Sequence, residues 1–172
     1  MDVLDAIRDF RAVRQFTTQP LPPEAVETIL NAGRRAQSSK NTQRWQFVAV
    51  EERDTLARLS TTGDFAGHLA GAALGIALVA PRDDESRDWI LFDLGHVTAY
   101  MQLAAWAQGI GSCIATIYHP ERAAAILGIP PEYECPLALS FGFPAPGLRE
   151  RPPRAGGRRP LSEGVHRERW EA

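Results

Sequence analysis

The segment from Trp89 to Gln108 constrains the fold most, because its apolar residues recur on more than one face of a helix. At about 1.5 Å per residue such a helix is roughly 30 Å long, which is enough to cross a bilayer. Asp93, His96 and Gln102 lie within it, however, and argue against a membrane span. A long helix that is apolar nearly all round is buried on several sides. We therefore predict a helix at the centre of a domain or of a dimer.

Shorter elements flank this helix in the sequence. Apolar residues at helical spacing predict four further helices, at residues 3–10, 23–36, 52–59 and 120–127. Short runs rich in β-branched and aromatic residues predict four strands, at residues 45–50, 74–80, 112–118 and 135–143. Helices interleaved with strands in this order are typical of a single α+β or α/β domain, which we expect to span residues 1–144.

Charge separates the predicted domain from the rest of the chain. Residues 1–144 carry 12 basic and 17 acidic side chains, and this acidic balance argues against nucleic-acid binding. Residues 145–172 carry seven Arg and four Glu, with four Pro and four Gly. We expect an extended C-terminal arm there. Its charge suits one or two phosphates better than a duplex, and a soluble tail is the alternative.

The two cysteines and the amino-terminal residues exclude further classes of protein. Cys113 and Cys135 form no CxxC and have no His/Cys spacing that suits zinc, so we expect neither a disulfide scaffold nor a metal site. The amino-terminal sequence MDVLDAIRDF is acidic and amphipathic, unlike a signal peptide. We therefore expect a cytoplasmic protein that does not bind a membrane.

Two polar segments are candidate ligand sites. Arg11 and Arg14 follow the first predicted helix, and two guanidinium groups three positions apart can converge on a phosphate or on a carbonyl-rich ring. The segment from Ser38 to Gln43 consists of side chains that donate or accept hydrogen bonds, and it precedes a buried strand. Such groups suit a ribityl chain or the imide edge of a flavin. The alternatives are surface arginines and an ordinary polar turn.

Other catalytic signatures are missing from the sequence. The run from Gly109 to Ile114 has a dinucleotide-binding appearance, but it leads from a helix into a strand, the reverse of the Rossmann order. We interpret its glycines as the end of the long helix. The sequence has no nucleophile elbow, no phosphate-binding GKS/T loop and no metal spacing among its four histidines. A bound cofactor is therefore the expected source of any chemistry.

Six motifs follow one another in register over nearly the whole chain. The first three are an Arg-rich loop at 10–16, a Ser-Ser-x-Asn-x-Gln segment at 38–47, and a long helix ending in Gly-x-Gly-Ser-Cys at 93–113. The last three are the runs Leu-Gly-Ile-Pro at 127–130, Gly-Phe-Pro at 142–144 and Arg-Arg-Pro-Leu at 158–161. Together they resemble the nitroreductase family of FMN-dependent, NAD(P)H-using oxidoreductases. Five residues depart from its usual pattern. Phe10 replaces an Arg, Ala12 a Ser and Arg44 a Pro, and Thr116 and Ile117 stand where small glycines are common.

The resemblance implies an α+β homodimer with a central, mostly antiparallel sheet of about four to five strands, surrounded by helices. The long helix would lie at the dimer interface, next to two FMN sites. The resemblance assigns Arg11 to the neighbourhood of the ribityl phosphate and Arg14 to the pyrimidine end of FMN. Ser38, Ser39 and Asn41 would come from the other subunit, and the backbone of Thr116 and Ile117 would lie near flavin N5. Arg158 or Arg159 would bind the phosphate, and Ala12 and Gln43 are assigned to the FMN site as well.

The same resemblance implies an activity. FMN would take a hydride from NADH or NADPH and then reduce a nitroaromatic, a quinone or a related acceptor, in a ping-pong reaction without a catalytic side-chain acid or base. Arg14 would stabilise the negative charge of the reduced flavin. Phe10 and Ala12 motivate an alternative, a degenerate binding protein of the same fold that holds a flavin or another ligand without turnover. A specialised branch with a substrate lid is a third reading, although residues 61–68 and 82–89 are short for a lid.

Overall fold

A computed structural model describes residues 1–148 and 157–170. Its helices are α1 (Val3–Asp9), α2 (Pro23–Arg34), α3 (Arg53–Leu59), α4 (Arg87–Ala107) and α5 (Pro120–Leu127), with short 3-10 turns at Ser39–Asn41, Ala66–Gly71 and Leu161–Glu163. The strands are β1 (Gln46–Val50), β2 (Leu74–Pro81), β3 (Gly111–Thr116) and β4 (Tyr133–Gly142). Within the described part of the chain, no helix is long and apolar enough to span a membrane.

The four strands form one antiparallel sheet in the order β1-β2-β4-β3. The last strand in sequence therefore lies between β2 and β3, and β3 is an edge strand. Helices cover both faces of this antiparallel sheet, which confirms the predicted α+β class. The sheet has four strands, at the lower end of the expected range.

The sheet separates two apolar clusters. On one face α2 and α4 pack together over the inward side chains of the two central strands, with Ile29, Leu94 and Phe141 fully buried. On the other face α3, α5 and the 66–71 turn pack over Ala115 and Ala138. A smaller cluster joins α1 and the following segment to the C-terminal end of α4.

Helix α4 combines a buried face with an exposed apolar face. Its inward side includes Leu94, Val97 and Met101, each fully buried. On its outward side Trp89 is 65% exposed and Phe92 61% exposed, and further along lie Ala99 and Tyr100. This exposed stripe explains why the sequence is apolar on more than one helical face: the domain core uses one of the faces.

Each predicted helix and strand is confirmed, and both of its ends lie within two residues of the predicted ones. The strand predicted at 112–118 ends at Thr116, and Gly109, with φ 81°, follows the end of α4 as its glycine pattern indicated. The short turn Ala66–Gly71 was not predicted. In the predicted arm, residues 149–156 and 171–172 lie outside the described residues, and residues 157–170 are all exposed. The division at residue 144 stays a prediction.

Candidate functional site

The arginine-bearing segment after α1 lies along the open edge of β3. Ala12 forms a parallel bridge with Ser112, and the N–H of Val13 donates to the Ser112 carbonyl at 2.9 Å. Gly111 permits this approach, because a Cβ there would lie 2.7 Å from the Cβ of Val13. Val13 is buried as a result, whereas the side chain of Arg14 remains exposed.

The far end of β3 presents a backbone donor at the same edge. The N–H of Ile117 donates to the carbonyl of Pro136 on the β4 side, at 3.0 Å. In an antiparallel ladder alternate residues direct their backbone groups to opposite sides, so those of Ser112, Ile114 and Thr116 point away from β4. The bond from Val13 to Ser112 agrees with this direction. The Thr116 N–H therefore faces the open edge.

The loop before the 66–71 turn fixes the end of β3. The carbonyl of Thr62 accepts the N–H groups of Tyr118 and His119, at 2.9 and 3.0 Å. A Cβ added to Gly63 would lie 2.2 Å from the carbonyl oxygen of Thr116. Backbone thus packs directly on backbone here, and the position of Thr116 depends on a residue without a side chain.

A buried histidine lies behind this edge. His68 is 8% exposed, and its Nδ1 lies 2.7 Å from Ser140 Oγ on β4. Ser140 Oγ in turn donates to the Cys113 carbonyl at 3.4 Å. Sequence reasoning missed His68, since its partner is 72 positions away and no local pattern marks the pair.

Arg14 acts on both titratable groups behind the edge. Burial lowers the pKa of His68, the backbone of Ile114 opposes that shift, and Arg14 lowers the pKa further. Burial raises the pKa of the Cys113 thiol, and Arg14 acts in the opposite direction. The backbone places Arg14 on this side, because it follows Val13, whose N–H bonds the carbonyl of Ser112 next to Cys113.

The polar segment 38–43 is a strained loop held by internal hydrogen bonds. Lys40, Asn41 and Gln43 have φ angles of 52°, 55° and 49°, in the left-handed region that non-glycine residues rarely adopt. The N–H of Gln43 donates to Ser38 Oγ at 3.0 Å, and its side chain donates to Asn41 Oδ1 at 3.2 Å. Strain of this kind persists where surrounding contacts over-determine a backbone, often at ligand sites.

One protomer does not bring its two polar segments together. The 38–43 loop is anchored on Asp93 of α4 through the N–H of Ser39, whereas Val13 packs near Trp106 of the same helix. Thirteen residues of α-helix separate these two anchors, about 20 Å along the axis. Arg11, Ala12 and Arg14 belong to the segment along the β3 edge that ends at Thr116 and Ile117, while Ser38, Ser39, Asn41 and Gln43 lie at the other anchor.

The predicted phosphate-binding arginines lie in the second described range. Arg158 and Arg159 are exposed and line a shallow surface pocket together with Leu161 and Val165. Both cysteines are buried free thiols. Among the described residues, no three His, Cys, Asp or Glu side chains are grouped so that they could hold a metal ion.

Comparison with known proteins identifies the class. The model of the nitroreductase family matches residues 7–62 and 65–143. The chain therefore belongs to the nitroreductase family and is an oxidoreductase. A protein of Archaeoglobus fulgidus with the provisional name NADH dehydrogenase/NAD(P)H nitroreductase is 30% identical over 175 residues, which cover 98% of this chain and 99% of the relative.

Solved structures establish the same fold. An FMN-dependent nitroreductase from Clostridium difficile superposes with a TM-score of 0.83 at 23% identity, covering 97% of this chain and 99% of that one. An NADPH:FMN oxidoreductase from Vibrio harveyi, complexed with NAD+, also has a TM-score of 0.83, at 20% identity, and covers 99% of this chain and 78% of that one.

Proposed function

We propose that this protein is an FMN-dependent oxidoreductase that transfers reducing equivalents from NADH or NADPH to a nitroaromatic, a quinone or a related small acceptor, by a ping-pong mechanism in the cytoplasm. The observation that carries the proposal is the open edge of β3, where Arg14 lies near one end and the Thr116 N–H faces outward at the other. From Ser112 to Thr116 this edge is about 13 Å long, which accommodates a tricyclic ring.

The residues on this edge fit a flavin. The ring of FMN has a carbonyl-rich pyrimidine end, which suits a guanidinium, and an acceptor nitrogen at N5, which suits a backbone donor. Ile114 lies between the two polar groups and is 43% exposed, so the edge also offers apolar surface to a ring. Bound FMN would supply two-electron chemistry at N5.

The protein groups have separate parts in this chemistry. Arg14 stabilises negative charge at the pyrimidine end without reorganisation, because its charge is fixed. The Thr116 N–H, with Ile117 beside it, orients N5. Arg11, which is half-buried after α1, lies next to Ala12 on the ribityl-phosphate side.

A second copy of the chain completes the site in this proposal. The exposed stripe of α4 needs a cover, because an apolar patch of this kind on a helix marks an interface. Antiparallel pairing of α4 with its copy would place the 38–43 loop of one protomer beside Arg11 and Arg14 of the other. The 20 Å separation within one protomer is thereby bridged, and Ser38, Ser39, Asn41 and Gln43 reach the flavin.

The arm contributes to the same arrangement. Arg158 and Arg159 are exposed, and we assign them to the FMN phosphate. Leu161 and Trp170 are 79% and 81% exposed, and a partner surface would cover them in the dimer. This assignment agrees with an arm that begins at residue 145 and wraps the other subunit.

One observation favours the alternative of a binding protein without turnover. Phe10, at the position of a usual phosphate-binding Arg, packs edge-to-face on Trp106 with ring centroids 5.8 Å apart. Position 10 is therefore part of an apolar contact and offers no charged group to a phosphate. Loss of one charge-assisted contact, about 1.5–3 kcal/mol, would weaken FMN binding roughly tenfold to a hundredfold.

Anaerobic titration with FMN and then with NADH and NADPH separates the two functions. The proposal predicts a bound flavin whose visible absorbance bleaches with the nucleotide and returns when a quinone or nitroaromatic is added. Bound flavin that stays oxidised under saturating NADH and NADPH would favour the binding protein. A chain that retains no flavin at saturating FMN would contradict the proposed function and leave only a binding protein for another ligand.

A further inference from the structure

The two contacts of Ser140 bear on which nitrogen of His68 carries the hydrogen. Ser140 Oγ lies 2.7 Å from Nδ1 of His68 and 3.4 Å from the carbonyl oxygen of Cys113. A hydrogen on Nδ1 satisfies both contacts at once, because Nδ1 then donates to Ser140 Oγ and the hydroxyl donates to the Cys113 carbonyl. In this tautomer the free lone pair is on Nε2, which is buried without a well-formed hydrogen bond to any described residue.

The surroundings of the ring hold it neutral in the absence of a nearby negative charge. Arg14 acts on it electrostatically from the 10–16 segment, and the groups around it are Cys113 and the backbone of Ile114 on β3 and Ser140 on β4. Burial lowers the pKa of His68 first, and Arg14 lowers it further. The thiol of Cys113 has a raised pKa and also stays neutral. Arg14 is thus the fixed charge that opposes protonation here.

We propose that His68 is the charge-compensating residue of the site: it binds a proton from solvent at Nε2 when negative charge arrives on a ligand held beside Arg14. The geometry that carries this is a nine-tenths buried imidazole whose Nε2 makes no well-formed hydrogen bond. Ser140 joins it to Cys113, and the neighbouring Ser112 carbonyl holds Val13, the residue before Arg14. A negative ligand offsets the field of Arg14, and the balance then favours the imidazolium. This inference rests on the proposed function.

Electrons and protons balance when the site is reduced. With FMN bound, hydride transfer would oxidise the nicotinamide and would bring two electrons and one proton to the flavin, which would then carry one additional negative charge. One further proton leaves the solvent and binds Nε2 of His68, so the site gains no net charge. The backbone of Ile114 favours the protonated ring, and Nδ1 keeps its bond to Ser140. His68 holds a proton and does not transfer it to the substrate.

Proton uptake during anaerobic reduction tests the proposal. FMN-loaded protein is reduced with stoichiometric NADH or NADPH in weak buffer, and proton consumption is followed with a pH indicator from about pH 5.5 to 8. We expect the native protein to take up as much as one more proton per flavin than His68→Gln. His119→Gln, which alters an exposed histidine, should behave as the native protein does. Equal uptake by the native protein and His68→Gln would overturn the proposal.

A second readout uses the imidazole itself. Histidine NMR of the apo protein, assigned by the signals lost in His68→Gln, should show a neutral His68 ring with hydrogen on Nδ1 at neutral pH. Reduction of the FMN-loaded protein should shift the same signals to the imidazolium pattern. A ring that stays neutral after complete reduction would contradict the proposal.

Ser140→Ala covers the case in which His68→Gln does not fold. It keeps the imidazole but removes the acceptor of Nδ1, which destabilises the doubly protonated ring. We expect proton uptake at neutral pH to fall toward that expected without His68, and unchanged uptake would overturn the proposal. Flavin that binds and is reduced with unaltered proton counts contradicts this inference alone. Failure to bind flavin contradicts the proposed function as well.

Discussion

The carboxylate of Asp93 accepts the backbone N–H of Ser39, with its two oxygens 3.4 and 3.3 Å from the nitrogen. Asp93 is 6% exposed on the buried side of α4, and Ser39 is the second residue of the strained 38–43 loop. The contact joins the long helix to the segment that we assign to the partner's flavin. The orientation of the loop therefore depends on a residue of the proposed interface helix.

Asp93→Ala should release this loop. The N–H of Ser39 would lose its acceptor, which lowers the free energy of unfolding by about 1–3 kcal/mol. FMN affinity should fall as well, because the left-handed residues after Ser39 relax. Urea denaturation and flavin-fluorescence titration measure the two effects. Two controls should remain near the native values: Asp93→Asn, which keeps an acceptor oxygen, and Asp88→Ala, which alters an exposed acid of the same helix. Losses in Asp88→Ala equal to those in Asp93→Ala would contradict the anchoring role.

Gly63→Ala should disturb the end of β3. The new Cβ would meet the Thr116 carbonyl at 2.2 Å, so backbone must move, at a cost of about 1–3 kcal/mol. Gly67→Ala is the matched control, because no atom lies within 4 Å of a Cβ at that position. Chemical denaturation and FMN binding should both decline in the first variant only. Similar behaviour of the two variants would show that the Thr116 edge does not depend on Gly63.

Arg14→Ala should lower the flavin midpoint potential and slow reduction more than it weakens binding. The fixed cation stabilises the reduced, more negative state above the oxidised one. A differential loss of about 1.4 kcal/mol corresponds to roughly 30 mV for a two-electron couple. Spectroelectrochemistry measures the shift, and Arg14→Lys should retain most of the native potential. An unchanged potential in Arg14→Ala would refute the assigned role.

Protein stability should fall with decreasing pH in a window set by His68. Its pKa is lowered in the folded chain, so the unfolded chain binds more protons near pH 6.5 and below. The contribution of His68 is therefore fully present above about pH 6.5 and is lost as pH falls toward the lowered folded pKa. Thermal denaturation of the apo protein between about pH 5 and 8 should show a steeper acid-side decline than His68→Gln. Superimposable curves would contradict a buried neutral His68.

Local pattern was sufficient for most of the elements but not for the site. Helix α4 was predicted because apolar residues recur over a long run without proline, and α5 because proline marks its start. The pairing of Ala12 with Ser112 could not be predicted, since it joins residues 100 positions apart through backbone atoms that any residue carries. The role of Asp93 was missed for a related reason: its acceptor function depends on a loop 54 positions away.

Paired substitutions on two helices test the central claim, that two copies of this chain enclose FMN along α4. Ala99→Glu places a charge on the exposed stripe of α4, and Ala125→Glu makes the same change on the exposed side of α5, across the sheet. Sedimentation velocity is recorded with FMN, at flavin and protein wavelengths together. We predict that flavin co-sediments with a dimer in the native protein and in Ala125→Glu, and that Ala99→Glu is a colourless monomer. A native chain that sediments as a monomer, or a dimer without flavin, would contradict the account.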